Sequence, residues 1–209
     1  MSFHDNAYTA FMLDSAAGAL PPAEQLVADV HRALSPGGRQ AARLFDTVGG
    51  LMLERIAPHG QVSQTPPGLL PLGQPIAAGQ ADPERSSRLD PYLRRDLIAL
   101  KWRKDIFGVK THGTDTPMAS MLRLDPGQRA PAHSHGRRDV TVVLCGSYAD
   151  EYGVYERGDL AFAEPGMRHE PRAVGNEPCV CLLATEAGRP LLGFFGLFGV
   201  GVRKQKDAS

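Results

Sequence analysis

The chain has 209 residues, of which 42% are hydrophobic, and its 23 Lys and Arg residues are balanced by 23 Asp and Glu residues. This hydrophobic content is typical of a globular protein with a core and excludes an intrinsically disordered chain. The balanced charge excludes a strongly basic surface that would attract nucleic acid or anionic membranes. The longest apolar stretch, residues 191–202, has 12 residues with four glycines, whereas a transmembrane helix needs about 20 apolar residues.

Neither the N-terminus nor the cysteines indicate export. The N-terminal residues lack the basic and apolar segments of a secretory signal, and three cysteines, an odd number, do not make a disulfide framework. We therefore expect a cytoplasmic protein that contacts neither nucleic acid nor membranes directly.

Three helical patterns follow one another in residues 1–57, which we call the helical unit. Prolines at 21–22 suit the first turn of the second helix, and Ser-Pro-Gly-Gly at 35–38 separates it from the third. Leu51 and Met52 continue the apolar face of the third helix. The predicted core consists of Tyr8, Phe11, Met12, Leu26, Val30, Leu44, Phe45 and Val48. Such a core is thin, so we expect exposed apolar surface and support from the remainder of the chain, a second copy or another protein.

The composition changes after the helical unit. Seven prolines and four glycines fall within residues 58–91, which is typical of a linker, and a short helix is predicted in PYLRRDLIAL at 91–100. From Trp102 onward, short apolar segments alternate with turn residues about every 8–12 positions, which indicates an all-β sandwich or barrel. The predicted fold class is α+β, with three helices followed by an all-β domain.

A candidate metal site lies in PAHSHGRRDVTVVLCG at 131–146. Alternate residues of a strand share a face, so His133, His135 and Asp139 have the same parity, and His169 in EPGMRH is the candidate fourth ligand. Imidazoles and carboxylates bind Zn²⁺, Mn²⁺, Ni²⁺ or Fe²⁺. Two histidines in H-x-H spacing are by themselves more often ordinary strand residues, but glycines flank both segments, at positions 127, 146, 158 and 166. The residues of opposite parity are apolar and are predicted on the other face: Val140, Val142 and Leu144.

These two segments resemble the paired motifs of the cupin superfamily, a double-stranded β-helix or jelly-roll barrel with a metal inside. The sequence from MLRLDPGQ to EPGMRHEPRA, followed by CVCLLATEAGRPL, resembles the cupin half of ChrR-like anti-sigma factors. AYTAFMLDSAAGALPPAEQLVADVHRAL and LFDTVGGLMLE resemble the zinc-binding helical half of that family. The resemblance implies an anti-sigma-like helical domain at 1–57, a linker at 58–95 and a cupin at 96–203. It also implies one divalent transition metal, zinc first and Ni, Mn or Fe as alternatives, held by His133, His135, Asp139 and His169.

Two positions depart from the family pattern. The family carries glutamate where this chain has Asp139, which is shorter by about 1.5 Å; Asp139 ligates if the strand shifts, ligates through a water, or leaves a site of three histidines. In the helical half the family reads H-x-x-x-C-x-x-C after a further histidine. Here His4 and His31 remain, but Ser35 and Gly38 replace the cysteines and cannot supply thiolates. We therefore predict no zinc in the helical unit.

The resemblance implies a cytoplasmic anti-sigma factor whose helical unit binds an extracytoplasmic-function sigma factor. The cupin would sense an oxidant such as singlet oxygen or an organic hydroperoxide. Cys179 and Cys181, on one strand face, are either small core residues or redox-sensing thiols, as the resemblance suggests. The alternatives are a non-haem iron dioxygenase and a binding module that has lost its sigma partner. The apolar stretch 191–202 predicts packing beneath the barrel or a homodimer.

Overall fold

The computed structural model describes residues 3–55, 83–94 and 96–185. The three helices predicted for the helical unit are confirmed. Only Ser35 separates the second from the third, because Pro36 has no N–H to satisfy and starts the next helix. No helix in the described ranges is long and apolar enough to cross a membrane. The helices are α1 (Phe3–Ala16), α2 (Pro22–Leu34), α3 (Pro36–Glu54) and α4 (Pro83–Leu93).

Helix α4 lies inside the range 58–95 that composition predicts as a linker. Its Leu89 and Tyr92 are buried in the same core as α2. Pro83 stands at the first residue of this helix, where a proline is tolerated, whereas Pro91 lies inside the helix and cannot donate a helical hydrogen bond. Residues 58–82 and 95 of the predicted linker lie outside the described ranges. So does the apolar stretch 191–202, for which packing beneath the barrel or a homodimer was predicted.

Residues 103–185 form eleven short strands joined by turns. The strands are β1 (Arg103–Lys104), β2 (Lys110–Gly113), β3 (Ala119–Leu124), β4 (His133–Ser134), β5 (Asp139–Cys145), β6 (Ser147–Ala149), β7 (Val154–Glu156), β8 (Leu160–Ala163), β9 (Arg168–His169), β10 (Arg172–Val174) and β11 (Cys179–Thr185).

All strand pairs are antiparallel, and the strands form two facing sheets closed by a third pair. The large sheet has the order β1-β2-β3-β11-β5-β8, the smaller one β10-β6-β7, and β4 pairs with β9. A buried cluster between the sheets joins residues of both, among them Leu122, Val143, Tyr148 and Ala173. The predicted all-β cupin fold is confirmed.

Strand β5 separates the inside of the barrel from the helices. Asp139 and Thr141 line the interior cavity, whereas the residues of opposite parity pack outward, as predicted. Cys145 breaks the alternation and packs with the outward group. The reason is a bulge: Cys181 pairs with Val143 and its neighbour Val180 with Cys145, so the pairing skips one residue. The outward residues of this strand are Val140, Val142 and Leu144.

The helical unit packs on the outer face of the large sheet. Val27 and Val30 of α2 are fully buried in one core with Val142 of β5. On α1, the ring of Phe11 meets Phe162 of β8 edge to face, with centroids 5.5 Å apart. Of the supports expected for the thin helical core, the cupin of the same chain is therefore one. The burial of apolar surface here is the main force that joins the two halves.

The face that helix α3 buries differs in part from the predicted one. Leu44 and Val48, assigned to the core, are 58% and 43% exposed. Phe45, the third predicted core residue of this helix, is half-buried, and it faces the other helices together with Gly38 and Ala42. Among the described residues α3 packs mainly against α1 and α2, and the cupin lies on the far side of α2, so α3 buries one narrow face. The exposed apolar residues, which we call the apolar stripe, are Leu13, Leu44, Val48, Leu51 and Met52.

Candidate metal centre

Three histidine side chains converge inside the barrel. The pairing of β4 with β9 sets His133 opposite His169, and His135 follows β4 directly. The Nε2 atom of His169 lies 2.9 Å from Nε2 of His135 and 3.1 Å from Nε2 of His133. His133 and His135 are buried and His169 is half-buried. The fold thus brings together residues that are 34 or more positions apart in the sequence.

The other nitrogen of each ring, Nδ1, faces an oxygen that can only accept a hydrogen bond. Nδ1 therefore carries the hydrogen, and Nε2 keeps a lone pair directed at the other two rings. Such outer partners are typical of metal-binding histidines, whose orientation and tautomer they fix. The acceptors are the Pro131 carbonyl for His133 (2.9 Å), the Asp139 carboxylate for His135 (2.8 Å) and the Asp150 carboxylate for His169 (2.9 Å).

The three nitrogens fit a transition metal. Three lone pairs that point at one another repel unless a cation lies between them, and their separations suit ligands about 2.0–2.1 Å from one ion. Burial lowers the pKa of His133 to about 4, against the opposing effect of the Pro131 carbonyl. The ring is therefore neutral at physiological pH, which is the form that binds metals. Among the described residues, these histidines form the only group with ligand atoms this close together.

Two carboxylates lie beside the histidines, and only one of them was predicted from the sequence. Asp139, the predicted fourth ligand, directs Oδ2 to Nδ1 of His135 and does not join the three converging Nε2 atoms. Asp150 was not predicted as a site residue. It follows β6 in an acidic turn, a sequence that is typical of an exposed loop. Burial opposes ionisation of its carboxyl, but the hydrogen bond from His169 lowers its pKa below the ordinary value. No spacing pattern in the sequence connects Asp150 with His169.

The interior behind the histidines is a cavity of about 50 Å³, lined mainly by apolar side chains. Cys179 and Cys181 line it, with their sulfurs 3.6 Å apart. The hydrogen bond with Cys179, together with burial, raises the pKa of Cys181 well above its usual range. Tyr148 and Tyr155 stack on the opposite sheet with centroids 4.9 Å apart. The predicted pair of thiols is thus inside the barrel that holds the histidines.

Comparison with known proteins shows the family of the chain. Residues 102–188 match the ChrR cupin-like domain family. The anti-sigma-E factor ChrR of Cereibacter sphaeroides is 31% identical over 195 residues, which cover 90% of this chain and 92% of that protein. The chain belongs to the ChrR family of anti-sigma factors. The crystal structure of Rhodobacter sphaeroides SigE in complex with the anti-sigma ChrR superposes with a TM-score of 0.66 at 29% identity, covering 85% of this chain and 96% of that one.

In this member of the ChrR family, His31 takes part in contacts between the helices and the cupin. Its Nδ1 donates to the carbonyl of Gly158, 2.6 Å away, and Tyr8 Oη lies 3.1 Å from its Nε2. A Cβ on Gly38 would stand 2.7 Å from the His31 ring. The hydroxyl of Ser35 accepts the Gly38 N–H at 3.3 Å. His4 is the second residue of α1, but its side chain lies outside the described residues. The prediction of a zinc-free helical unit stays a prediction.

Proposed function

We propose that this chain is an anti-sigma factor whose helical unit binds an extracytoplasmic-function sigma factor in the cytoplasm. The observation that carries the proposal is the match to ChrR over both halves of the chain. Its solved relative is described in complex with SigE. Binding would mask surfaces that the sigma factor needs to join RNA polymerase, and neither DNA nor a membrane would be contacted directly.

The apolar stripe is the surface that we assign to the sigma factor. Leu44, Val48 and Met52 recur at helical spacing along the outer side of α3 and are all more than two-fifths exposed. Leu13 of α1 extends the same kind of surface. Exposed apolar patches of this kind mark protein-binding sites in soluble proteins. The opposite side of the helical unit is already covered by the cupin.

We further propose that the cupin holds one divalent transition metal through His133, His135 and His169. Zinc is the first candidate, and Ni, Mn or Fe would suit the same nitrogen donors. When bound, the ion supplies a cross-link between β4 and β9 and a positive charge in an apolar interior. The chain's own residues orient the three rings and fix their tautomers, through hydrogen bonds to Pro131, Asp139 and Asp150.

Oxidative sensing would begin at this centre or at the neighbouring thiols. A loss or rearrangement of the ligands moves His135, and with it Asp139. The preceding residue, Arg138, is paired with Glu24 of α2 at 2.6 Å. A movement of Asp139 would therefore displace the adjacent Arg138 and its ion pair with the helical unit. The physical consequence would be a shift of the equilibrium toward free sigma factor.

The alternative function, a non-haem iron dioxygenase, uses the same three-histidine arrangement. The size of the interior cavity favours the anti-sigma factor over the enzyme. A cavity of about 50 Å³ holds only a few water molecules, whereas an organic substrate needs several hundred Å³. Oxygen consumption by the iron-loaded protein in the presence of aromatic or thiol substrates would favour the enzyme.

Co-purification tests the proposed function directly. The whole chain is co-expressed in turn with each extracytoplasmic-function sigma factor of its own genome, and the complex is isolated through a tag on the sigma factor. We expect a stoichiometric complex and inhibition of transcription by the reconstituted polymerase. If no complex forms and transcription is not inhibited at micromolar concentration, the proposal is rejected. That result would favour a binding module that has lost its sigma partner.

A further inference from the structure

The candidate metal centre in the cupin has three converging histidine nitrogens, and the neighbouring carboxylate of Asp139 is directed away from them. Asp139 is 9% exposed, and its Oδ2 accepts the Nδ1 hydrogen of His135 at 2.8 Å. The three Nε2 atoms lie on the far side of their rings from these acceptors. A carboxylate that accepts from Nδ1 of His135 orients the ring of that histidine instead of joining its Nε2 as a ligand.

We propose that Asp139 is a positioning residue and that one coordination position of the metal faces the interior cavity, open to a small oxygen- or nitrogen-donor ligand. The inference rests on the proposed metal centre and deepens it. Closed structural zinc sites have four protein ligands, whereas sites with three protein ligands keep an exchangeable position. In the competing arrangement, Asp139 is itself the fourth ligand of the metal. The two arrangements differ in whether a small ligand can bind the metal.

The cavity decides which ligands fit. Its volume of about 50 Å³ accommodates a few atoms of the size of water. Its walls near the histidines are apolar or aromatic, including Leu122, Leu183 and Tyr155. Water, hydroxide, hydrogen peroxide and other donors of two or three heavy atoms are therefore the ligand class. Larger anions, such as benzoate, are excluded by size. For an oxidant sensor, this opening would give a small peroxide direct access to the metal.

Azide binding to the cobalt-substituted whole chain tests the inference, because the visible spectrum of Co²⁺ reports its ligands without any activity assay. We expect azide to change the visible absorption in a saturable way and benzoate to leave it unchanged. A chain with one bound cobalt and no azide response overturns the inference alone. A chain that takes up no cobalt overturns the metal centre as well, so the two failures are distinguishable.

Two substitutions at one position separate positioning from ligation. Asp139→Asn keeps a polar group beside His135, and we expect one cobalt per chain, an intact azide response and metal affinity lower by about 10- to 100-fold. Asp139→Glu adds the methylene needed to reach the metal, and we expect azide affinity to fall by at least about tenfold as the open position fills. Loss of cobalt from Asp139→Asn, or an unchanged azide affinity in a metal-loaded Asp139→Glu, overturns the assignment.

Discussion

The carboxylate of Glu24 in α2 lies 2.6 Å from the guanidinium of Arg138, the residue directly before Asp139. The Glu24 side chain is 2% exposed, whereas that of Arg138 is 34% exposed. The two partners therefore differ in what their removal leaves behind. A buried carboxylate deprived of its guanidinium is costly, but a partly exposed guanidinium can be hydrated by water.

This asymmetry predicts unequal stabilities for two variants. We expect Arg138→Ala to lower the free energy of unfolding by about 2–4 kcal/mol, less than for a fully buried pair because Arg138 is partly exposed. Glu24→Gln should lower the free energy of unfolding by only about 1–2 kcal/mol, because the variant has no buried charge that is left without its guanidinium. Urea unfolding of the metal-loaded chain measures both. The control is Arg94→Ala, whose surface pair with Asp96 should contribute at most about 1 kcal/mol. Equal losses in the first two variants would contradict the prediction.

The buried ring of His31 predicts a pH-dependent contribution to stability. Burial lowers its pKa, against the opposing effects of the Gly158 carbonyl and of Asp159. The neutral ring is favoured in the folded state, so its contribution is complete above the unfolded pKa of about 6.5 and is lost as pH falls through the lower folded pKa. We expect His31→Gln to be less stable than the wild type at pH 7.5, with a gap that narrows toward pH 5. Denaturant unfolding at several pH values measures this gap. Titration of His133 is common to both proteins and cancels in the comparison, and a gap independent of pH would refute the prediction.

Metal content tests the three-histidine centre. Elemental analysis of the purified wild type should give one transition metal per chain, and Ala at His133, His135 or His169 should abolish it. His112→Ala is the matched control, because that ring contacts the Lys101 carbonyl and is not part of the centre. Asp150→Asn should keep the metal but lower its affinity by about 10- to 100-fold in chelator competition. A metal-free wild type, or alanine variants with full metal content, would rule out the centre.

Binding of the sigma factor should depend on the apolar stripe. Met52→Glu and Leu44→Glu place a charge on the exposed side of α3, and we expect each to weaken binding by at least about tenfold, or about 1.4 kcal/mol. The folded state should be unaffected, since both side chains are more than half exposed. Titration calorimetry measures the affinity. Ile106→Glu alters an apolar side chain on the cupin that is 81% exposed and should bind normally. Equal affinities in all three variants would place the binding surface elsewhere.

The thiols inside the barrel should react slowly in the native protein. The thiolate is the reactive form, and the raised pKa of Cys181 keeps its sulfur protonated. We expect iodoacetamide to modify Cys179 and Cys181 at least about tenfold more slowly in the folded than in the urea-unfolded chain. Mass spectrometry of peptides follows the modification, and half-buried Cys145 serves as the internal comparison. Rapid labelling of either barrel thiol in the native state would favour a reactive, redox-sensing cysteine.

The sequence by itself determined the local directions of the side chains. The period of two in residues 139–144 predicts the side of β5 that carries Asp139 and Thr141 and the side that carries Val140 and Val142, and both assignments hold. The period of 3.6 likewise predicts α1, α2 and α3. These rules succeed because the direction of a side chain depends only on the backbone of its own segment.

Only the tertiary structure decided which surfaces meet. Helix α3 carries a face with Ala42 and Phe45 and another with Leu44 and Val48, and the more hydrophobic face is the exposed one. Asp150 acquires its role only because β6 passes beside His169, and Glu24 acquires its partner only because α2 lies across β5. Each of these outcomes depends on contacts between segments far apart in the chain. A periodic pattern says which residues share a face, but the burial of that face depends on what the rest of the chain brings against it.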